Sequence, residues 1–147
     1  MIDDSSDPAL ALIAHDEKKS DLVAFVHEHA DILLACDLVA TGTTGSRLND
    51  ETALSVERVA SGPLGGDLEI GAAVSRGVLD GVIFLRDPLT AQPHEPDIGA
   101  LLRICDVTDT ALATNLASAE GVLSSVFEND EHDDNDESDE SDENDIM

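Results

Sequence analysis

The 147-residue chain is poor in lysine and in aromatic side chains. It has two lysines, three phenylalanines and no tryptophan or tyrosine, and 33 acidic residues against 7 basic ones give a formal net charge of −26. Nucleic-acid binding by phosphate neutralisation needs a positive surface, and so does docking on an anionic membrane. The charge therefore excludes the first class of protein and disfavours the second.

Long apolar runs and paired cysteines are also missing. No apolar run approaches the roughly 20 residues that span a bilayer, and the N-terminus lacks the basic and apolar regions of a signal peptide. Cys36 and Cys105 lie far apart in apolar segments, which is not the spacing of a disulfide framework or a zinc site. We expect a protein of the reducing cytoplasm, with no membrane and no nucleic-acid partner.

The acidic residues are distributed over the whole chain. Residues 128–147 hold 12 of them and no lysine or arginine, so residues 1–127 keep 21 acidic residues against 7 basic ones. Such a charge weakens a fold by self-repulsion unless salt screens it, and at about 1 M salt the Debye length falls to about 3 Å. The composition predicts a halophilic source, expected to be an archaeon. The alternative is a mesophilic acidic protein with a disordered tail.

Composition divides the chain into three parts. Residues 1–8 are predicted to be a flexible acidic N-terminus, and residues 9–127 form one domain. Residues 128–147 are low in complexity and hold almost nothing that could enter a core, so they are predicted to be a disordered acidic tail.

Short apolar runs alternate with longer amphipathic stretches about five times. The runs predict strands, and the amphipathic stretches predict helices. The strands are Ala9–Ala14, Asp37–Thr41, Leu54–Ala60, Gly81–Leu85 and Ala111–Thr114; the helices are Lys18–Leu34, Thr44–Thr52, Gly66–Arg76, Asp97–Cys105 and Ala117–Phe127. This alternation predicts an α/β fold with a parallel sheet covered on both faces.

Unusual polar and glycine residues follow the ends of these strands. In open parallel sheets ligands bind beyond the carboxyl ends of the strands, so the site is expected there. The segments are His15-Asp16 with Lys19, Thr41–Gly45, Ser61–Asp67, Asp87-Pro88 with Pro93–Asp97, and Asn115.

Hydroxyl and glycine residues in two of these turns favour phosphate binding. Thr41–Gly45 leads into a helix whose free N–H groups can bind an anion, Ser61-Gly62 forms a second such turn, and Lys19 adds a positive charge. Ordinary helix capping is the alternative for each turn taken alone. The spacing is neither that of a P-loop nor that of a dinucleotide fingerprint.

Three further residues suggest acid–base chemistry. Asp67 follows two glycines at a helix start and is a candidate general base, with helix capping as the alternative. His94 is a candidate proton carrier, or else a surface histidine. Asp97 is a candidate N-cap of the next helix.

No metal site is predicted. His15 and Asp16 could form a metal pair, but no spacing in the chain is diagnostic. His27 and His29 are two residues apart on a helix, do not share a face and are predicted to be structural. Arg103 is expected to pair with a site carboxylate such as Asp16, or else to form a plain surface ion pair.

Seven motifs, in order and at characteristic spacing, resemble the methylglyoxal synthase family over about Ala9 to Phe127. They are AHDxxK (Ala14–Lys19), ATGTTG (Ala40–Gly45), SGPLGGD (Ser61–Asp67), IFxxDPL (Ile83–Leu89), PHxPD (Pro93–Asp97), LLR (Leu101–Arg103) and ATNxA (Ala113–Ala117). The resemblance implies a three-layer α/β/α sandwich with a five-stranded parallel sheet and flavodoxin-like winding, assembled as a homohexamer.

The resemblance also implies an activity and roles for residues. The family converts dihydroxyacetone phosphate to methylglyoxal and inorganic phosphate, with no cofactor and no metal. Asp67 would be the base, with His94 moving protons and Asp97 supporting it. Substrate and phosphate contacts would come from His15, Lys19, Thr41, Gly42, Thr43, Thr44, Ser61, Gly62 and His94, with Asp16 beside them.

The chain departs from the family pattern after Arg103. Related enzymes use an arginine near the C-terminus in contacts with phosphate, and no lysine or arginine follows Arg103 here, which puts regulation by phosphate in doubt. The alternative functions are a regulatory domain of the same fold that binds a phosphorylated effector without catalysis, and an acidic interaction protein that acts through its tail.

Overall fold

The computed structural model describes residues 7–134, with side chains as far as Phe127. Most of the predicted N-terminal segment 1–8 and most of the predicted tail 128–147 therefore lie outside the described residues. Within the described part, no helix is long and apolar enough to cross a membrane.

Five strands form one parallel sheet in the order β3-β2-β1-β4-β5. The strands are β1 (Ala9–Ala14), β2 (Asp37–Ala40), β3 (Glu57–Arg58), β4 (Gly81–Leu85) and β5 (Ala111–Ala113). The predicted α/β fold and parallel sheet are confirmed. The sheet is doubly wound, like that of flavodoxin, although flavodoxin itself has the order 2-1-3-4-5.

Among the described residues, six α-helices connect or follow the strands and cover both faces of the sheet. They are α1 (Lys19–Glu28), α2 (Ala30–Leu33), α3 (Gly42–Glu51), α4 (Gly66–Ser75), α5 (Glu95–Val107) and α6 (Leu116–Asp134). Single 3-10 turns, Asp16–Lys18 and Gly62–Leu64, precede α1 and α4.

The side chains of β1 alternate between two apolar cores. Leu10 and Leu12 pack with α1, α2, α3 and α6 on one face, while Ala11 and Ile13 pack with α4 and α5 on the other. All six residues of β1 are buried. A strand that is covered on both faces and paired on both sides can be apolar throughout, which is why the sequence pattern identified it.

The third strand is much shorter than predicted. Leu54–Ala60 was expected to be extended, but only Glu57–Arg58 pair with β2. The pairing ends at Ala40, where β2 ends. It does not begin before Glu57, because the Asn49 side chain accepts from the N–H group of Val56 and donates to its carbonyl oxygen.

Helix bounds differ from the predictions at several places. The predicted helix Lys18–Leu34 is interrupted at His29, where α1 ends and α2 begins. Helix α3 begins two residues earlier than expected, at Gly42. Helix α6 continues past Phe127 to Asp134, because extending an existing helix adds one hydrogen bond for each residue fixed.

Asp97 is not the N-cap of its helix. Helix α5 begins at Glu95, with His94 in the N-cap position, so Asp97 lies within the first turn. Pro96 does not delay the start of the helix, because the N–H group it lacks would have no helical partner in the first turn.

Candidate active site

A solvent-open cleft lies at the carboxyl edge of the sheet. The expected residues that line it are His15, Asp16, Lys19, Thr41, Thr43, Gly62, Asp67 and His94. They come from the ends of three different strands and from the loop before α5. The structure thus brings residues from these strand ends together in one cleft, where the strand-end rule predicts a ligand site.

Asp67 is a buried carboxylate that no hydrogen bond holds. It lies in the first turn of α4, its side chain is 0% exposed, and neither carboxylate oxygen has a hydrogen-bond partner. Burial raises the pKa of Asp67, His94 lowers it and the charge of Asp97 raises it. A side chain that only capped the helix would accept hydrogen bonds from backbone N–H groups, so the capping alternative fails.

His94 faces Asp67 across the cleft. Its Nε2 atom lies 3.3 Å from Oδ2 of Asp67, and its buried Nδ1 atom has no partner. Gly62 makes this approach possible, because a Cβ atom there would lie 2.8 Å from Nε2 of His94 and 3.4 Å from Oδ1 of Asp67. The predicted surface-loop alternative for His94 is therefore wrong, since the side chain is buried.

The protonation of His15 is set by the backbone. The N–H group of Asp87 donates to Nδ1 of His15 at 2.8 Å, so a neutral ring carries its proton on Nε2. Burial lowers the pKa of His15, and the charges of His94 and Arg86 lower it further. Nε2 is buried without a partner on a residue that lines the cleft, and it is available to donate to a bound oxygen.

Lys19 supplies a positive charge that is already partly satisfied. Its Nζ atom donates to the carbonyl oxygen of Ala14 at 2.9 Å and to Oδ1 of Asp16 at 2.8 Å. An ammonium group has three N–H donors, so one remains. The hydrogen bond from Lys19 lowers the pKa of Asp16. Asp16 therefore pairs with Lys19 in the 3-10 turn, and not with Arg103, which is exposed on α5.

The hydroxyl-rich turn Thr41–Gly45 offers some of its polar groups to a ligand and uses others within the fold. Thr41 and Thr43 line the cleft, whereas the buried Thr44 donates from Oγ1 to the carbonyl oxygen of Ala14 at 3.3 Å. The N–H group of Gly42 is taken by the carbonyl of Ala60. The N–H groups of Thr43 and Thr44 lie in the first turn of α3 and have no helical acceptor.

Four of the expected site residues do not line the cleft: Gly42, Thr44, Ser61 and Asp97. Gly42 lies against Ser61, where a Cβ atom would come within 3.0 Å of the Ser61 nitrogen. Asp97 acts on the site through its charge and forms no hydrogen bond with Nδ1 of His94.

Sequence reasoning assigned no role to several residues at the site. Phe84 and Gln92 line the cleft, and the rings of Phe84 and His15 pack nearly at right angles with a centroid distance of 5.2 Å. Arg86 directly follows β4, so the strand-end rule could have identified it. Its Nε atom is buried without a partner, and its terminal nitrogen lies 3.8 Å from a carboxylate oxygen of Glu95.

Comparison with known proteins gives consistent results. Residues 21–114 match the family described as the MGS-like domain. The methylglyoxal synthase of Ralstonia nicotianae is 61% identical over 114 residues, which cover 78% of this chain and 84% of that protein. A methylglyoxal synthase of Thermus thermophilus is 59% identical over 116 residues, covering 79% of this chain and 92% of that protein.

A solved structure agrees with these relatives. The crystal structure of methylglyoxal synthase from Elizabethkingia anophelis superposes with a TM-score of 0.77 at 45% identity, covering 83% of this chain and 80% of that one. The relatives are bacterial, so they do not support the expected archaeal source. On sequence identity, coverage and fold, the chain belongs to the methylglyoxal synthase family.

Proposed function

We infer that the cleft carries out the lyase reaction of this family, converting dihydroxyacetone phosphate to methylglyoxal and inorganic phosphate, with Asp67 as the base. The observation that carries the assignment of the base is the buried, unpartnered carboxylate of Asp67 next to His94. Burial raises its pKa and so makes it a stronger base than an exposed aspartate.

The first step moves a proton from carbon to oxygen. Asp67 takes a proton from the hydroxymethyl carbon of the substrate, which leaves an enediolate. The Nε2–H group of His15 and the imidazole of His94 donate hydrogen bonds to the substrate oxygens, where negative charge develops. Donors that are fixed before the substrate arrives stabilise this charge without reorganising.

The second step expels phosphate. The enediolate breaks the C–O bond to the phosphate group, which leaves the enol of methylglyoxal, and a proton delivered to its methylene carbon gives the product. Lys19, Thr41 and the N–H groups of the first turn of α3 are the groups that would hold the phosphate. Rigid donors can keep the C–O bond aligned with the π system, which elimination requires.

A product assay tests this function against the regulatory alternative. The full chain is incubated with dihydroxyacetone phosphate, and methylglyoxal and inorganic phosphate are measured. Equal amounts of the two products support the enzyme. Binding of the substrate without product would favour the regulatory domain. The D67N variant should bind the substrate with its turnover rate lowered about 10²–10⁴-fold, and near-normal kinetics in it would place the base elsewhere.

The proposal also covers the assembly and the location of the protein. A homohexamer in the cytoplasm, with phosphate as product, is what the family resemblance suggests; inhibition by phosphate is not part of the proposal, because no lysine or arginine follows Arg103. Large apolar side chains exposed near the cleft, Leu64 and Leu89, support burial against further copies. Light scattering of the full chain gives the mass, and a monomer at micromolar concentration would contradict the assembly.

Salt adaptation is proposed from charge alone. With 21 acidic residues against 7 basic ones in residues 1–127, the fold should lose stability as potassium chloride is lowered from about 1 M to about 0.1 M, where the Debye length grows to about 10 Å. Thermal unfolding followed by circular dichroism measures this loss. Melting temperatures that do not change across the series would reject the proposal.

A further inference from the structure

A second cluster of polar side chains lies away from the cleft, where α1 approaches α6. Ligand atoms of Glu28, His29 and Glu120 all lie within 4.8 Å of one another. Glu28 is the last residue of α1, His29 occupies the break between α1 and α2, and Glu120 belongs to α6. The break at His29 therefore places an imidazole next to two carboxylates from different helices.

The imidazole is held in place by its surroundings. The Phe25 ring packs against the His29 ring at a centroid distance of 4.5 Å, and the backbone N–H group of His29 donates to the carbonyl oxygens of Phe25 and Val26. Nε2 of His29 lies 3.1 Å from Oε1 of Glu120. Two ligands on one tetrahedral zinc ion, with bonds of about 2.0–2.1 Å, lie roughly 3.3 Å apart.

The negative charge around this cluster favours a cation. The groove between α1 and α6 is lined by Asp21, Glu28 and Glu120. Three carboxylates in one groove repel one another unless a cation or salt offsets their charge. Among the described residues, no lysine or arginine lines this groove.

We propose that Glu28, His29 and Glu120 bind a divalent transition-metal ion and that this ion is Zn²⁺. The ion would join the end of α1 to α6. One imidazole and two carboxylates are the donor set that suits such ions, whereas Mg²⁺ prefers an all-oxygen shell and keeps its waters. The exposed Glu28 side chain closes on the ion by rotation. The site is separate from the catalytic cleft and stabilises the fold.

Isothermal titration of the metal-free full chain with zinc chloride, in phosphate-free buffer at high salt, tests the site. We expect the wild-type chain to bind one more Zn²⁺ than H29A does. E28Q and E120Q should weaken this binding by about tenfold or more. Zinc should also raise the melting temperature of the wild-type chain and leave that of H29A unchanged.

Two matched variants control for other zinc ligands. H27A removes a neighbouring exposed histidine and E17Q an exposed glutamate, and both should bind zinc like the wild-type chain. Equal stoichiometry and affinity in wild type and H29A would overturn the proposal, leaving His29 and Glu120 as a plain hydrogen-bonded pair. If H29A does not fold, E28Q decides, because its side chain is exposed and its loss leaves the His29–Glu120 contact intact.

Discussion

The interior of the sheet is apolar throughout, whereas its carboxyl edge holds buried polar atoms. Every residue of β1 and β4 is apolar or glycine and buried. Directly beyond the strand ends, buried polar atoms lie without partners. Among the residues whose side chains are described, these atoms are Nε2 of His15, both carboxylate oxygens of Asp67, Nε of Arg86 and Nδ1 of His94.

The contrast concerns the free energy of folding, to which the apolar core and the polar edge contribute with opposite sign. A buried polar group without a partner costs about 1–3 kcal/mol, and burying one large apolar side chain contributes about 1.5–3 kcal/mol. The two cores on either side of the sheet offset the cost of these atoms, which under the proposed function gain partners when the substrate binds. Substitutions at the two places should therefore have opposite effects.

The largest effect is expected at Asp67. D67N should lower the turnover rate about 10²–10⁴-fold and yet unfold at a higher temperature at pH 7. The raised pKa of Asp67 means that the folded state disfavours its ionisation. The protonated carboxyl therefore contributes to the stability of the fold below pH 3.8, and this contribution is lost as the pH rises through the folded-state pKa.

Paired activity assays and melting curves at two pH values check this prediction. At pH 7 the wild-type chain bears the free-energy cost that the raised pKa of Asp67 represents, and D67N does not. The gain in melting temperature should disappear below pH 3.8, where the wild-type carboxyl is also neutral. A variant that is less stable at pH 7 would show that favourable contacts hold the ionised carboxylate.

The opposite pattern is expected in the core. Leu12 is 0% exposed in the middle of β1, and L12A should lower the free energy of unfolding by about 2–5 kcal/mol. Its turnover rate per folded molecule should stay near that of the wild-type chain at saturating substrate. Urea unfolding and steady-state kinetics measure the two quantities. A large fall in turnover with little loss of stability would contradict the contrast between core and edge.

A smaller effect on rate is expected at Gly62. In G62A the added methyl group would lie 2.8 Å from Nε2 of His94, so the imidazole must shift from its position beside Asp67. A displacement of about 1 Å commonly lowers the rate roughly 10²-fold. G99A is the matched control, because nothing lies within 4 Å of a Cβ atom there. Equal rates in G62A and G99A would mean that the position of His94 is not critical.

The smallest expected effect concerns the protonation of His15. Its lowered pKa should keep the ring neutral at pH 6.5, the ordinary midpoint for histidine, with the proton on Nε2. The contribution of the neutral ring to stability is present above that midpoint and is lost as the pH falls through the folded-state pKa. Nitrogen-15 NMR of the imidazole identifies the tautomer. A spectrum with the proton on Nδ1 would contradict the hydrogen bond from Asp87.

Sequence reasoning located the interior better than the ends of elements. β1 and β4 were predicted residue for residue, because buried parallel strands are continuous apolar runs. The break at His29 and the start of α5 at Glu95 were missed, since backbone packing and capping decide them more than periodicity does. The short pairing of β3 depends on where β2 ends and on the hydrogen bonds between Asn49 and Val56, which no local pattern shows.

Residue types and order predicted the segments of the site, but not the role of each atom. That Thr44 bonds to the Ala14 carbonyl while Thr43 lines the cleft depends on helix phase at the start of α3. That Asp16 pairs with Lys19 and not with Arg103 depends on the 3-10 turn between β1 and α1. Phe84 was assigned to a strand, and its contact with His15 required the three-dimensional structure.

The central place of β1 affects how the chain is made on the ribosome. β1 pairs with β2 on one side and with β4 on the other, and Leu10 lies opposite Gly81, roughly 70 residues further along the chain. At about 5–20 residues per second, roughly 4–14 s separate the synthesis of these two strands. During that interval one edge of an entirely apolar strand has no partner. The nascent chain is therefore most prone to aggregation before β4 is synthesised, when β1 still lacks this second pairing partner.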